Sequence, residues 1–352
     1  MIACASPSQE RIWLDLYLHK IPVSIYNIPV LFTLPPNRTL SIRRLHLSIR
    51  SVIRQHSILR TKIVYDNCLK QIVQPVSDND DCCYSFQRSC IEKTTNDDVI
   101  EQILVNEING DNHFNLEQGV VVRCHVIQQH QRVDEDLLEE NDWIIFNFHH
   151  IALDGYSLKL FFNDLNLAYT NSRLESNKTL SQFIDCKQLE SIDQAKLFWM
   201  QLLSSYQHHL LLLPYDSVRI NNNNNNVGRT YLFQIDNTSA MFNFISKNSH
   251  HGVTMFQLLL ASYFLLLYKL TNQIDLFVGG LNSNRRHYQN VIGMFVNLNI
   301  YRLKNLNLQQ TFEQLLLTQV QPLCQQIALY SYLPYQDIIN NLGNVLYYNT
   351  LI

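Results

Sequence analysis

His149-His150-Ile151-Ala152-Leu153-Asp154-Gly155 stands between two segments of different periodicity. Before it, the apolar run Trp143 to Phe148 reads as a buried strand. After it, apolar residues at Leu158, Phe161, Phe162, Leu165, Ala168 and Tyr169 share one helical face. The pair of histidines therefore sits on a short loop where a strand hands over to a helix. Rigid elements on both sides hold such loops in place, and such loops commonly carry chemistry. Histidine is the side chain best suited to move protons near neutral pH. Gly155 is expected to let the backbone turn where a side chain would obstruct.

Composition narrows the field. The 352 residues suit one large domain or two medium ones, and 46% hydrophobic residues are enough for a substantial core. The net charge is −3 with no basic block, so no electrostatic case exists for nucleic acid. The eight cysteines show no C-x-x-C spacing of a metal site, and no metal is expected. The start Met1-Ile2-Ala3-Cys4-Ala5-Ser6-Pro7 has neither the charged n-region nor the apolar stretch of a signal peptide. The expectation is a cytoplasmic protein with reduced thiols. The sequons at Asn37, Asn177 and Asn237 are then chance occurrences.

Met255 to Tyr268 is almost wholly apolar, but Gln257 interrupts it and Lys269 closes it. A spanning helix needs roughly 20 apolar residues, so a buried core helix capped by Thr254 is the better reading. Residues 130–142 are acidic and read as a long solvated hairpin loop between strands at Val120–Gln128 and Trp143–Phe148. Asn221 to Asn226 reads as a surface loop, and residues 170–192 as a linker. Helices are predicted at Leu40–His56, Thr254–Leu270 and Phe312–Leu329. Strands are predicted at Ile58–Tyr65, Arg229–Ile235, Asp275–Leu281 and Phe295–Leu303. The pattern is α/β (α+β), divided into two mixed lobes at 1–175 and 176–352.

As a general base, the neutral imidazole of His150 would take a proton from an attacking amine or hydroxyl. An α-amine has a pKa of about 8 and is largely protonated near neutrality, so a base within hydrogen-bond reach helps to free it. Asp154 fits a structural role, fixing the loop through an arginine. The motif by itself has two registers. His149 and Asp154 match the H-x(4)-D spacing of membrane glycerolipid acyltransferases, and His150 and Asp154 match the H-x(3)-D-G spacing of soluble acyltransferases. The missing membrane segment argues against the first.

Blocks along the whole chain bear on that choice. Ser6-Pro7-Ser8-Gln9-Glu10-Arg11-Ile12-Trp13 is similar to S-x-A-Q-x-R-[LM]-W, and Gln55-His56-Ser57-Ile58-Leu59-Arg60-Thr61 to R-H-E-x-L-R-T. Phe114-Asn115-Leu116 with Arg123 resembles F-D-L…R, and His149 to Ser157 fits H-H-x-x-x-D-G-x-S without mismatch. Asp275 to Gly279 with Asn284-Arg285 resembles D-x-x-x-G…x-R, and Ile292-Gly293-Met294-Phe295-Val296-Asn297 matches I-G-x-F-V-N in full. With these blocks the chain resembles the condensation domains of nonribosomal peptide synthetases, within the chloramphenicol-acetyltransferase-like superfamily.

The resemblance implies two chloramphenicol-acetyltransferase-like lobes, each a mixed sheet with helices, with the active site at the lobe junction. His150 corresponds to the catalytic histidine, with Asp154 and Gly155 in the same motif, and His149 to the less critical first histidine. Asp154 would organise the loop through an arginine, for which Arg60 is the candidate. Ser157 closes the motif, and Gly293 and Asn297 belong to a block near the junction. The implied reaction is amide formation between a carrier-bound acyl or peptidyl donor and an aminoacyl acceptor. Phosphopantetheine arms come with partner carrier proteins, adenylation domains are expected partners, and neither metal nor nucleotide is needed. The departures are Ser57 in place of glutamate, the partial block Phe183-Ile184-Asp185-Cys186, and Tyr330-Ser331-Tyr332-Leu333-Pro334-Tyr335-Gln336, which loses its polar ends. Ile352 follows soon after that block, so the second lobe is expected to be incomplete. Alternatives are a truncated homologue that only binds carrier proteins, or an epimerisation-type domain, against which Leu158 counts mildly.

Overall fold

The computed structural model describes residues 1–19, 25–76, 84–91, 97–110, 112–129, 135–170, 192–204, 238–285 and 288–340. The chain divides into two compact units, Met1–Glu190 with Ser283–Val296, and Ser191–Asn282 with Asn297–Ile352. The expected boundary at 175/176, the poly-asparagine run, the strand at 229–235 and the block at 183–186 lie outside the described residues.

The first unit runs β1 (Ile2–Cys4), α1 (Pro7–His19), β2 (Asn27–Thr33), β3 (Leu40–Ser41), α2 (Ile42–Gln55), β4 (Thr61–Asp66), β5 (Cys68–Val73) and β6 (Ser85–Cys90). It continues through α3 (Asp97–Asn109), β7 (Val122–Gln128), β8 (Leu137–Leu138), β9 (Trp143–His149) and α4 (Gly155–Tyr169). Among the described residues its main sheet has the order β2-β9-β7-β6, with β6 and β7 parallel and the other pairs antiparallel. A second sheet has the order β1-β5-β4.

From Ile144 to His149, β9 is buried on both faces, as a strand covered by helices on either side must be. On one face Phe146 and Phe148 meet Phe161 and Phe162 of α4 edge to face, with centroids 4.8–6.0 Å apart. On the other face Asn147 donates to the Glu107 carbonyl of α3 at 2.6 Å. His149 is on this second face, two residues along the pleat. Helix α2 buries Ile42, Leu45, Ile49, Val52 and Ile53 at helical spacing, starts on a Ser41 cap and packs against α4. Its C-cap His56 meets Asp164 of α4 at 2.6 Å.

A polar cluster is built into the α3 face of the sheet. Glu107 receives Arg123 at 2.9 Å on each carboxylate oxygen and has His125 Nδ1 at 2.9 Å. Arg123 also donates to Ser85 at 3.0 Å and to Gln87. All three ionisable members are at most 8% exposed. Burial alone would raise the Glu107 pKa, but the His125 and Arg123 bonds prevail and hold it down to about 2.

The second unit runs α5 (Ile192–Leu203), α6 (Ser239–Lys247), α7 (Met255–Thr271), β10 (Leu276–Asn282), β11 (Asn297–Leu303), α8 (Phe312–Leu315), α9 (Gln321–Tyr330) and α10 (Tyr335–Asn340). Strands β10 and β11 pair antiparallel. Helix α7 is the predicted core helix: Thr254 and Gln257 form a capping box, and Leu258, Leu260, Ala261, Phe264 and Leu267 are buried. Among the described residues, no helix is long and apolar enough to cross a membrane. Trp199 of α5 donates to the Tyr330 carbonyl at 3.1 Å, and Arg302 forks onto Asp275 at 2.6 and 2.8 Å.

Several predicted elements differ in detail. The strand expected from Ile58 begins at Thr61, because Ser57–Arg60 form a 3-10 turn that buries Ile58 and Leu59. The helix expected over Phe312–Leu329 has a π turn at Leu316–Val320, next to Pro322, which has no N–H to donate. The described part of the acidic stretch is not fully solvated. Leu138 is buried in a bridge to Leu40, and buried Asp142 accepts from the Gln129 and Glu139 amides.

Replacing Glu107 with glutamine strands a buried Arg123 and is expected to lower stability by about 3–5 kcal/mol in urea titrations at neutral pH. The Glu107 pKa is depressed in the fold, so its contribution is full above the unfolded value of about 4.3 and is lost as pH falls toward 2. Acid unfolding followed by circular dichroism should therefore be steeper for the native protein than for Glu107→Gln; parallel curves would contradict this.

Candidate functional site

Strand β9 delivers His149 and His150 at its C-terminal end, and α4 begins at Gly155. Between them, Ile151, Ala152 and Leu153 are buried and pin the loop to the core. Gln9 of α1, itself fully buried, donates to the Ile151 carbonyl at 3.3 Å. Asp154 is the N-cap of α4, its side chain accepting from the Ser157 amide at 3.0 Å.

Asp154 is fully buried and ionised groups are costly there, so its partner matters. That partner is Arg285. Its Nη2 donates to Oδ1 at 2.6 Å and its Nε to Oδ2 at 3.3 Å, a two-point grip. The remaining guanidinium hydrogens reach the carbonyls of Tyr288, Val291 and Gly293 at 2.7–3.1 Å. The Phe295 amide adds a bond to Asp154 Oδ2 at 3.2 Å. The rings of Tyr156 and Phe295 lie over the guanidinium, 4.7 and 4.6 Å from its central carbon.

Ser157 and Gly293 complete this knot. The Ser157 hydroxyl lies 2.9 Å from both Asp154 Oδ1 and the Gly293 carbonyl, and it accepts from Arg285 at 2.6 Å and the Gly293 amide at 3.0 Å. The Gly293 carbonyl also receives the Asp154 amide at 3.2 Å. The segment 283–296 that supplies these partners runs between β10 and β11 in sequence but belongs to the first unit.

Two sequence expectations need correction. Arg60 is not the arginine of Asp154; it ends the 3-10 turn before β4 and its Nη1 donates to the Gln74 carbonyl. Gly155 is not required by the turn. It has no positive φ, and a Cβ placed there would meet nothing within 4 Å. The glycine leaves open space on the exposed side of the loop instead.

The two histidines differ sharply. His149 is buried, packs edge to face on Phe114 at 5.5 Å and accepts from the Ile151 amide at 3.1 Å through Nδ1. Burial, helped by neighbouring His150, pushes its pKa down to about 3, so it is neutral near pH 7. His150 is half-buried and its amide donates to the Tyr26 carbonyl at 2.8 Å. Its Nδ1 is buried with no hydrogen-bond partner among the described residues.

Asn297 is in the second unit. Its side chain donates to the Ser331 and Leu333 carbonyls at 2.8 and 2.7 Å, tying the start of β11 to the turn after α9. Sequence reasoning missed Arg285 as the anchor, although Asn284-Arg285 stood in a recognised block, and it missed Tyr26 altogether. Among the described residues no three His, Cys, Asp or Glu side chains gather to hold a metal.

The condensation-domain family model matches residues 2–345. Bacitracin synthase 1 of Bacillus licheniformis is 24% identical over 97% of this chain, which covers 6% of that protein. The hybrid PKS-NRPS synthetase pvhA of Talaromyces variabilis is 28% identical over 84% of this chain, covering 7% of that protein. Among solved structures, the condensation domain of the Monacolin K polyketide synthase MokA has a TM-score of 0.73 at 20% identity, spanning 97% of this chain and 76% of that one. A four-domain nonribosomal peptide synthetase bound to AMP and glycine has a TM-score of 0.75 at 19% identity, spanning 98% of this chain and 25% of that one. The fold is thus shared with solved condensation domains, and with the family model covering nearly its whole length, the chain belongs to the condensation-domain family.

Proposed function

We propose that this chain forms an amide between an acyl or peptidyl thioester on one carrier protein and the amine of an aminoacyl thioester on another. The observation that carries the reading is the division of labour in the loop. Asp154 is consumed by Arg285, and His149 is buried and neutral. His150 is left as the half-buried imidazole at the end of β9.

In the proposed step the amine nitrogen attacks the thioester carbonyl carbon while His150 takes up the amine proton. Collapse of the tetrahedral intermediate breaks the C–S bond, and the proton passes to the departing sulfur. The products are an extended amide on the acceptor carrier and a free thiol on the donor. The phosphopantetheine arms belong to the carriers, adenylation domains load them, and the step needs no metal or nucleotide. Membership of the condensation family supports this assignment, and so does the Arg285 anchor, which holds the loop before substrate arrives.

Purified protein supplied with both loaded carriers should yield an amide-extended acceptor. The His150→Ala variant should do so roughly 10²–10⁴-fold more slowly, the range for loss of a positioned proton acceptor. Equal rates would overturn the reading. The open space at Gly155 gives an independent check. Gly155→Ala should leave the unfolding free energy unchanged or raised by up to ~1 kcal/mol of helix preference, yet lower the rate by obstructing a substrate arm. Unchanged turnover would show that no substrate uses that space.

A further inference from the structure

We propose that Tyr26 is the positioning residue for the His150 imidazole, an inference that rests on the role assigned to His150 above. A proton-accepting histidine is ordinarily oriented through the ring nitrogen that faces away from the substrate. Here Nδ1 of His150 is buried and has no hydrogen-bond partner among the described residues. Among the described residues, the aromatic contact on this ring comes from Tyr26.

The placement follows from strand register. β2 pairs antiparallel with β9 so that Asn27 faces His149, which puts Tyr26 beside His150 one step beyond the ladder. The ladder is extended there by the His150 amide donating to the Tyr26 carbonyl at 2.8 Å. The Tyr26 ring stands edge to face with the His150 imidazole, centroids 6.4 Å apart at 85°. The same ring is 6.4 Å from that of His149, so it touches both members of the pair. Tyr26 is itself fixed: its hydroxyl donates to Asp15 Oδ2 of α1 at 2.5 Å, within the charge-assisted range. Asp15, Tyr26 and His150 thus form a line from α1 to the loop, with a hydrogen bond at one end and ring contact at the other.

The test reads the imidazole directly. In protein labelled with ¹³C-histidine, the His150 Cε1–H resonance is assigned by its loss in His150→Ala. Tyr26→Leu should move or broaden that resonance and lower kcat roughly 10- to 100-fold with KM within about twofold, as for a slightly misplaced reacting group. Tyr26→Phe keeps the ring and loses the Asp15 bond, so it should shift the resonance less and in the same direction. If Tyr26→Leu does not fold, Tyr26→Phe and Asp15→Asn decide, because neither leaves a cavity. An unmoved His150 resonance in the folded variants overturns the proposal, as does a kcat loss without such movement. Full activity in His150→Ala would instead remove the amide-forming role of His150, while the resonance still reports whether Tyr26 holds the ring.

Discussion

Asp154 carries a charge in a place where water cannot reach it, and the rest of the site is arranged around that fact. A buried carboxylate is tolerable only when paired and fully hydrogen-bonded. Arg285 supplies the charge, Ser157 and the Phe295 amide supply further bonds, and two aromatic rings cover the guanidinium. The same carboxylate caps α4, so the start of the helix and the path of the loop are set by one group. What remains is a loop with little freedom and one half-buried imidazole.

The sheet explains why the histidines diverge. β9 is covered on both faces, so each residue is assigned a side by the pleat. His149 falls on the α3 face and is desolvated into neutrality, while His150 lies past the strand end, where the β2 pairing reaches it through Tyr26. The Glu107–Arg123–His125 cluster sits on the α3 face two residues back, bound to Asn147. Its ion pair ties α3 to β7 in the same layer that buries His149.

Local pattern made much of this readable. The change of period across His149–Gly155, the apolar run of β9 and the Thr254 cap of α7 are all consequences of neighbours in sequence, and all are found as expected. What was not readable depends on distance. Arg285 is 131 residues from Asp154, and nothing local distinguishes it from Arg60, whose Nη1 donates to the Gln74 carbonyl instead. The strand start at Thr61 was misplaced because Ile58 and Leu59 are apolar in a 3-10 turn just as they would be in a strand. Gly155 illustrates a subtler limit: its presence was legible, but that a Cβ there would meet open space, with no positive φ required, is something no sequence displays.

Among the contacts that hold the loop, the buried Asp154–Arg285 ion pair is the one on which the start of α4 depends. Hydrogen–deuterium exchange followed peptide by peptide, in the native protein and in Arg285→Ala, tests it most directly. The amides of Asp154, Ser157 and the first turn of α4 should exchange at least roughly tenfold faster in the variant, with Val122–Gln128 unchanged, as expected for local opening. Equal protection of the loop in both proteins would contradict the account.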